Sequence, residues 1–249
     1  MASDGATLQS SLAAAQRQPR LSPAAGVWPL HRAWVLCGLL PLGFSLFMAL
    51  ISNRFGYDRD VAGMPVLLFA GVFVAAGLAF AAVVPGLIER SASLGVRETS
   101  RLLALIVGVG VIARLVLFAS QPILEDDYQR YLWDGAVVAH GFNPYAASPR
   151  AVIDGGPSHS LAGLATETGS GEPALVLRRI NHPNLTTLYP PVTEAAFATA
   201  YAVSPWSLNA WRSLLLLCDL SILIILLSLL KTTGRSSLWA ALYWWNLWF

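Results

Sequence analysis

Apolar and polar residues are laid out along this chain in long blocks. After an opening stretch rich in Ala, Ser, Gln and Pro, nearly continuous apolar runs fill 34–51, 65–88 and 102–120. Each is close to the roughly 20 residues that a helix needs to cross about 30 Å of hydrocarbon, so the pattern predicts three transmembrane helices. A polar segment, 121–188, then interrupts the blocks. Its length, about 70 residues, exceeds any ordinary connection and marks it as functional or mobile. Three more apolar runs follow at 191–203, 211–230 and 238–249, and the first reaches spanning length only by taking in part of its flanks. The expectation is an all-α polytopic membrane helical bundle of about six transmembrane helices with one long external loop. Its parts are a mobile tail (1–32), three spans (33–120), the loop (121–189) and further spans (190–249), the last breaking off inside an apolar run.

Local signals refine this outline. Pro41 and Pro85 bend or end their helices, which membrane bundles tolerate where neighbours satisfy the freed carbonyls. Gly71, Gly77, Gly108 and Gly110 permit close helix contact. In the polar segment, Tyr128, Tyr131, Leu132 and Trp133 give a short amphipathic helix an aromatic face suited to the membrane interface. The Gly, Ser and Thr of 154–173 predict a mobile excursion, with order returning at 180–188. No apolar core lies near the start, so the tail is expected to stay attached.

Composition agrees: 55% of the residues are hydrophobic and 12% charged, against about a quarter charged in soluble domains. A formal net charge of +2 and the lack of a basic run with interleaved aromatics exclude nucleic acid as a partner. Cys37 and Cys218 fall in apolar runs, where free Cys acts as a small hydrophobe, and neither predicts a disulfide. Six spans entered from a cytoplasmic N-terminus gather Arg17, Arg20, Arg32, Arg90, Arg97, Arg101 and Arg212 inside, against Arg54, Arg59, Lys231 and Arg235 outside. The positive-inside rule favours that orientation in the cell membrane, and Lys231 and Arg235 speak against it.

Candidate chemistry concentrates where the polar segment begins. Glu125, Asp126 and Asp127 close the third run, with Arg130 and Asp134 one and two helical turns on. Adjacent carboxyls raise one another's pKa, which suits a general base; the blander account is an acidic first turn with surface ion pairs of a few tenths of a kcal/mol. An acidic cluster can also hold a divalent metal through oxygen, a reading that is not favoured. Gly141 and Asn143-Pro144-Tyr145 read first as a turn and second as a substrate contact. His182 is either a phosphate donor or a turn residue. Arg178 and Arg179 offer planar forks for a phosphate, or snorkel at the interface. Arg114 and Asp219 lie inside apolar runs, where ionisable groups pair or face a polar cavity; the two are expected to approach each other or share a polar cavity, with Arg114 snorkelling to the outer surface as the other reading.

Asp126-Asp127, Arg130 through Gly135, Gly141, Asn143 through Tyr145 and Tyr189-Pro190-Pro191 together resemble the C-type glycosyltransferase (GT-C) superfamily. The likeness is closest to its bacterial mannosyltransferase-like branch and to the GPI-anchor mannosyltransferase I group. The resemblance implies an enzyme that moves a hexose, with mannose the first expectation, from a polyprenyl-phosphate-linked donor to a glycan or lipid acceptor outside the cytoplasmic leaflet. Asp127 would be the base, with Asp126 and Glu125 beside it. Arg130, Tyr131, Asp134, Asn143, Tyr145, Arg178, Arg179, His182 and Tyr189 would contact substrate, with no cofactor. Members of the superfamily have about twice as many spans, so the 249-residue chain is expected to be an N-terminal part without activity by itself. Two other readings stay open: a transporter or flippase of lipid-linked glycans, and a non-catalytic membrane subunit.

Overall fold

The computed structural model describes residues 24–57, 60–155, 159–166 and 172–246, and among them every regular element is helical. The helices are α1 (Ala24–Ile51), α2 (Val66–Arg90), α3 (Val96–Leu117), α4 (Tyr128–Ala139), α5 (Pro149–Ile153), α6 (His159–Leu164), α7 (Glu172–Arg178), α8 (Pro191–Val203), α9 (Leu208–Thr232) and α10 (Ala241–Trp244), with short 3₁₀ turns between some of them. Four are long and apolar enough to cross a membrane: Pro29–Phe55, Val66–Arg90, Val96–Leu117 and Leu208–Thr232. The protein is a helical membrane protein. Residues 1–23 of the expected tail lie outside the described residues, whereas 24–32 already belong to α1 rather than to a mobile tail.

Four spans among the described residues replace the six expected. The run at 191–203 forms a 13-residue helix, a rise of roughly 20 Å that falls short of an approximately 30 Å core. Pro191 opens it at the first helical position, and the chain turns extended at Ser204, just before Pro205. That is where a residue preceding proline is pushed out of the helical region. The final run makes a 3₁₀ turn, Ser237–Ala240, then α10, and its last three residues lie outside the described ones.

Contacts at the helix ends fix how the spans run. Trp34 donates its indole N–H to Ser91 Oγ (2.9 Å), and His31 sits 3.3 Å from Glu98, which brings together the start of α1, the end of α2 and the start of α3. At the opposite end, Gln121 N–H donates to Ser52 Oγ (3.0 Å), and Arg212 donates to the carbonyls of Phe118 (3.1 Å) and Ser120 (2.8 Å). A helix C-terminus leaves such carbonyls without partners, and a guanidinium is well suited to them. Arg212 therefore belongs to the end that carries the polar segment, and α9 runs away from it. This corrects the expected grouping of charges: Lys231 and Arg235 join Arg32, Arg90, Arg97 and Arg101 at one end, with Arg54 and Arg212 at the other. The objection that Lys231 and Arg235 raised disappears once α8 does not cross.

The bundle core is built on tryptophan. Trp34, Trp244 and Trp245 are fully buried among Val84, Ile88, Leu102, Ile106 and Leu238. Trp244 and Trp245 donate their indole N–H groups to the α3 carbonyls of Val107 (3.0 Å) and Ile106 (2.8 Å). A Cβ on Gly110 would lie 2.2 Å from Trp244 Nε1, so that glycine makes room for the ring; Gly71 and Gly108 have nothing within 4 Å.

The polar segment has its own core. Trp133, Val137, Val152, Leu161, Leu164, Val176, Leu177 and Ile180 pack together and tie α4 to α5, α6 and α7. The expected mobile excursion is thus in part ordered helix, although 156–158 and 167–171 lie outside the described residues. Of the aromatic face expected on α4, Trp133 is buried in this cluster, while Tyr128, Tyr131 and Leu132 are half-buried.

If α8 does not cross, Asp154 and Thr233 face opposite sides of the membrane. Single cysteines at the two positions, in a chain freed of Cys37 and Cys218, should label with an impermeant maleimide from opposite faces of sealed cells. Labelling of both from one face would restore the extra crossing.

Candidate functional site

The α4–α8 seam sets the site's geometry. Gly135 lies so close to α8 that a Cβ there would meet the Phe197 carbonyl oxygen at 2.6 Å. Such an approach needs a residue with no side chain. Beside it, Arg130 and Asp134 form a salt bridge (Nε to Oδ2, 2.8 Å) whose side chains are only 9% and 3% exposed. This is a buried pair, unlike the surface pair that the spacing alone suggests. Both terminal nitrogens of Arg130 also donate to the Leu185 carbonyl (3.1 Å each), so the guanidinium clamps the chain that leads into α8. Its committed donors make Arg130 a positioning residue in this arrangement.

The clamp continues through two residues that the sequence did not single out. Thr187 donates to Glu194 Oε1 (2.6 Å) and accepts from Tyr189 N–H (3.3 Å). Glu194 is 2% exposed, and its Oε2 is buried with no hydrogen-bond partner. Burial pushes its pKa up to about 7, opposed in part by the Thr187 hydrogen bond, with the Asp134 carboxylate adding to the rise. Asp134 is raised by burial too, offset by Arg130. The signal for Glu194 was present in the sequence as a lone acid in an apolar stretch, the same signal that flagged Asp219.

This scaffold delivers Tyr189 to the acids. Its hydroxyl donates to Asp127 Oδ2 (3.4 Å), while Tyr145 donates to the Tyr189 carbonyl (2.6 Å). Tyr131 stacks on Phe197 (ring centroids 4.8 Å apart) and meets Tyr189 edge-on (5.4 Å). Glu125 Oε1 accepts from the Asp127 backbone N–H (3.0 Å) and, at 3.5 Å, faces the Tyr131 hydroxyl. Burial first and then the neighbouring Asp127 raise the Glu125 pKa. Tyr131 and Tyr189 are also raised, mainly by burial, and keep their protons.

Thus the fold brings together Glu125, Asp127, Tyr131, Tyr189 and Tyr145, with Arg130 and Asp134 behind them. Asp126 is half-buried beside the group, its carbonyl accepting from Gln129 N–H (3.2 Å). Asn143 forms the turn that its blander reading predicts, Oδ1 accepting from Tyr145 N–H (3.0 Å). His182 is exposed in a turn at positive φ (51°), and Arg178 is exposed at the end of α7. Arg179 stands over the Tyr57 ring at 4.8 Å.

Next to the acids opens a cavity of about 820 Å³, walled by apolar residues such as Phe44, Met48, Phe69, Phe73 and Leu216 from α1, α2 and α9. Glu125 and Arg212 line it, as do Arg114 and Asp219. Asp219 follows Arg212 by seven residues, roughly 10 Å further along α9. Arg114 Nε donates to Asp219 Oδ2 (2.6 Å), Nη1 donates to the Trp244 carbonyl (2.9 Å), and the guanidinium lies 3.8 Å from the Trp244 ring centroid. Tyr243 donates its hydroxyl to the other oxygen of Asp219. The expected approach of Arg114 and Asp219 is observed, because α9 runs opposite to the direction that six spans required. Among the described residues, no group of three or more His, Cys, Asp or Glu is arranged to hold a metal ion. Comparison with protein-family models, curated proteins and solved structures gives no match.

Two tests follow from these clusters. Glu194 holds its proton in the folded chain to about pH 7 but releases it near 4.5 once unfolded, so the native state carries more protons between those values. Stability should therefore fall as pH rises from about 4.5 through 7. Glu194→Gln should flatten that slope in detergent-solubilised melting curves and raise the Tm at neutral pH; an unchanged slope would assign it to another group. Removing one partner of a buried pair costs about 3–5 kcal/mol because the other charge is stranded. Arg114→Leu and Asp219→Leu should each destabilise on that scale, and the double variant by clearly less than their sum. Additive effects would mean that the pair is not coupled.

Proposed function

We propose that the chain is the membrane-embedded site region of a GT-C glycosyltransferase that transfers a hexose, with mannose the first expectation, from a polyprenyl-phosphate carrier to a glycan or lipid acceptor. One observation supports this reading above the others: Glu125, whose carboxylate accepts from the Asp127 backbone N–H, lines an apolar cavity of about 820 Å³ among the spanning helices, which puts Asp127 next to its mouth. An isoprenoid chain needs hydrocarbon walls, and its phosphate and sugar need polar partners at the level of the membrane surface. The positive charge of Arg212 at the cavity wall suits the phosphate. Asp127 is half-buried, and one of its oxygens takes the long Tyr189 contact, which leaves capacity to accept from an acceptor hydroxyl.

In this reading, the acceptor oxygen attacks C1 of the sugar while the bond from C1 to the phosphate oxygen breaks. The hydroxyl proton passes to Asp127, and polyprenyl phosphate leaves with the bonding electrons. Tyr189 and Tyr131 orient the two acids. The clamp of Arg130 on the Leu185 carbonyl then acts at one remove, by fixing where Tyr189 stands. With the N-terminus cytoplasmic, the polar segment faces the outside of the cell membrane. Arg32, Arg90, Arg97, Arg101, Lys231 and Arg235 lie inside, as the positive-inside rule favours.

The test is made in the longer reading frame that the resemblance implies. Asp127→Asn should lower turnover about 10²–10⁴-fold while carrier binding is largely kept, the scale of a lost general base. If Asp127→Asn keeps near-normal turnover and Glu125→Gln abolishes it, the base is Glu125. If Glu125, Asp126 and Asp127 can all be neutralised without loss, the chain is not a transferase of this kind.

A further inference from the structure

With α8 too short to cross, one of its faces is left without a neighbour among the described residues. At 100° per residue, Glu194, Phe197 and Ala200 fall on the buried side. Pro191, Val192, Ala195, Thr199, Ala202 and Val203 fall on the opposite side, an exposed arc of roughly 120°. Leu188, just before the helix, extends the same surface; Leu188, Val192 and Val203 are 80%, 82% and 75% exposed. This face carries no charge. Between Leu188 and Trp211 the single acidic or basic residue is Glu194, and it points inward. Thr199, the hydroxyl-bearing member of the arc, spends its proton on the Ala195 carbonyl (2.8 Å), so the face offers little for water to bind.

Three observations identify what covers it. The end of α8 is tied to the membrane surface, because only the four residues 204–207 separate it from α9, whose Arg212 grips the end of α3. Aromatic residues cluster at that level: Phe197 lies 5.0 Å from Trp211, and Tyr201 lies 5.4 Å from Trp206, ring centroid to centroid. Tyr and Trp collect where hydrocarbon gives way to headgroups. Finally, α9, which follows after four residues, carries its own exposed apolar residues away from the cavity, such as Leu217, Ile224 and Ile225.

We propose that α8 lies on the bilayer as an interfacial helix, with Val192, Ala195, Thr199 and Val203 set into the boundary between headgroups and acyl chains. The lipid then forms the floor under the site: α8 carries Glu194 and Phe197 on its upper side and, through Tyr189, holds Asp127 at a fixed height above the hydrocarbon. This placement does not depend on the transferase reading.

The test uses the whole chain, freed of Cys37 and Cys218 and reconstituted in vesicles of phosphatidylcholine and phosphatidylglycerol. Single cysteines at Val192 and Val203, and one at Asp154 as a control in the polar segment, carry an environment-sensitive fluorophore. At Val192 and Val203 the emission should be blue-shifted and quenched by lipids spin-labelled near the headgroup, more than by lipids labelled deep in the chain and more than by aqueous iodide. At Asp154 iodide should be the effective quencher. Iodide quenching at all three would place the face in water, and stronger quenching by the deep label would make α8 a crossing. A label at Val192 and Val203 shielded from lipid and iodide alike would show a protein surface there, a second copy or a further helix. Each of those outcomes overturns the proposal.

Discussion

The cost of a charge in hydrocarbon fixes this bundle. Arg114 and Asp219 stand in spanning helices, and each alone would be expensive there; joined, with Tyr243 donating to Asp219 and the Trp244 and Gly110 carbonyls accepting from Arg114 Nη1, they become a lock between α3 and α9 in which only Arg114 Nη2 is left without a partner among the described residues. A lock of this kind is directional. It can close only if Asp219 reaches the depth of Arg114, which requires α9 to start at the membrane face where α3 ends. That requirement leaves α8 no room to cross and carries Lys231 and Arg235 to the face already rich in arginine. Arg212 strengthens the arrangement from the same helix by satisfying the last carbonyls of α3.

The cavity is a consequence of this register. With α1 and α2 on one side and α9 on the other, the space below the end of α3 is walled by phenylalanines and leucines and closed in part by the Arg114–Asp219 pair. Such a volume can take an apolar chain without stranding a polar group. Because the polar segment leaves α3 at this point, its first acid, Glu125, comes to the cavity wall.

Above the membrane a second polar seam does comparable work. Arg130, Asp134, Thr187 and Glu194 are buried between α4 and the chain entering α8, and the absent side chain of Gly135 lets the two helices close on them. Its effect is to set the position of Tyr189 against Asp127. The seam holds more acid than base, and Glu194 keeps a partnerless oxygen inside it, so the most tightly built part of the site is also the most sensitive to proton activity.

The amino-acid pattern by itself determined the helical class, the membrane, and spans close to those of α1, α2, α3 and α9, because hydrocarbon demands long apolar blocks and such blocks can be counted. The resemblance grouped Glu125, Asp127, Tyr131 and Tyr189, and the pattern flagged Arg114 and Asp219 as intramembrane charges that could pair, share a polar cavity or, for Arg114, snorkel to the surface. What the pattern could not decide was the fate of 191–203, which crosses only if it takes in part of its flanks and otherwise stays a short helix at the surface. Only the packing of Glu194 and Phe197 against α4 chose between them. Likewise, spacing placed Arg130 and Asp134 one helical turn apart but said nothing of what would cover them, so a buried clamp read as a surface pair. Periodicity reports which residues share a face; whether that face meets water, lipid or another helix depends on contacts made by residues distant in the chain, and those exist only in the folded protein.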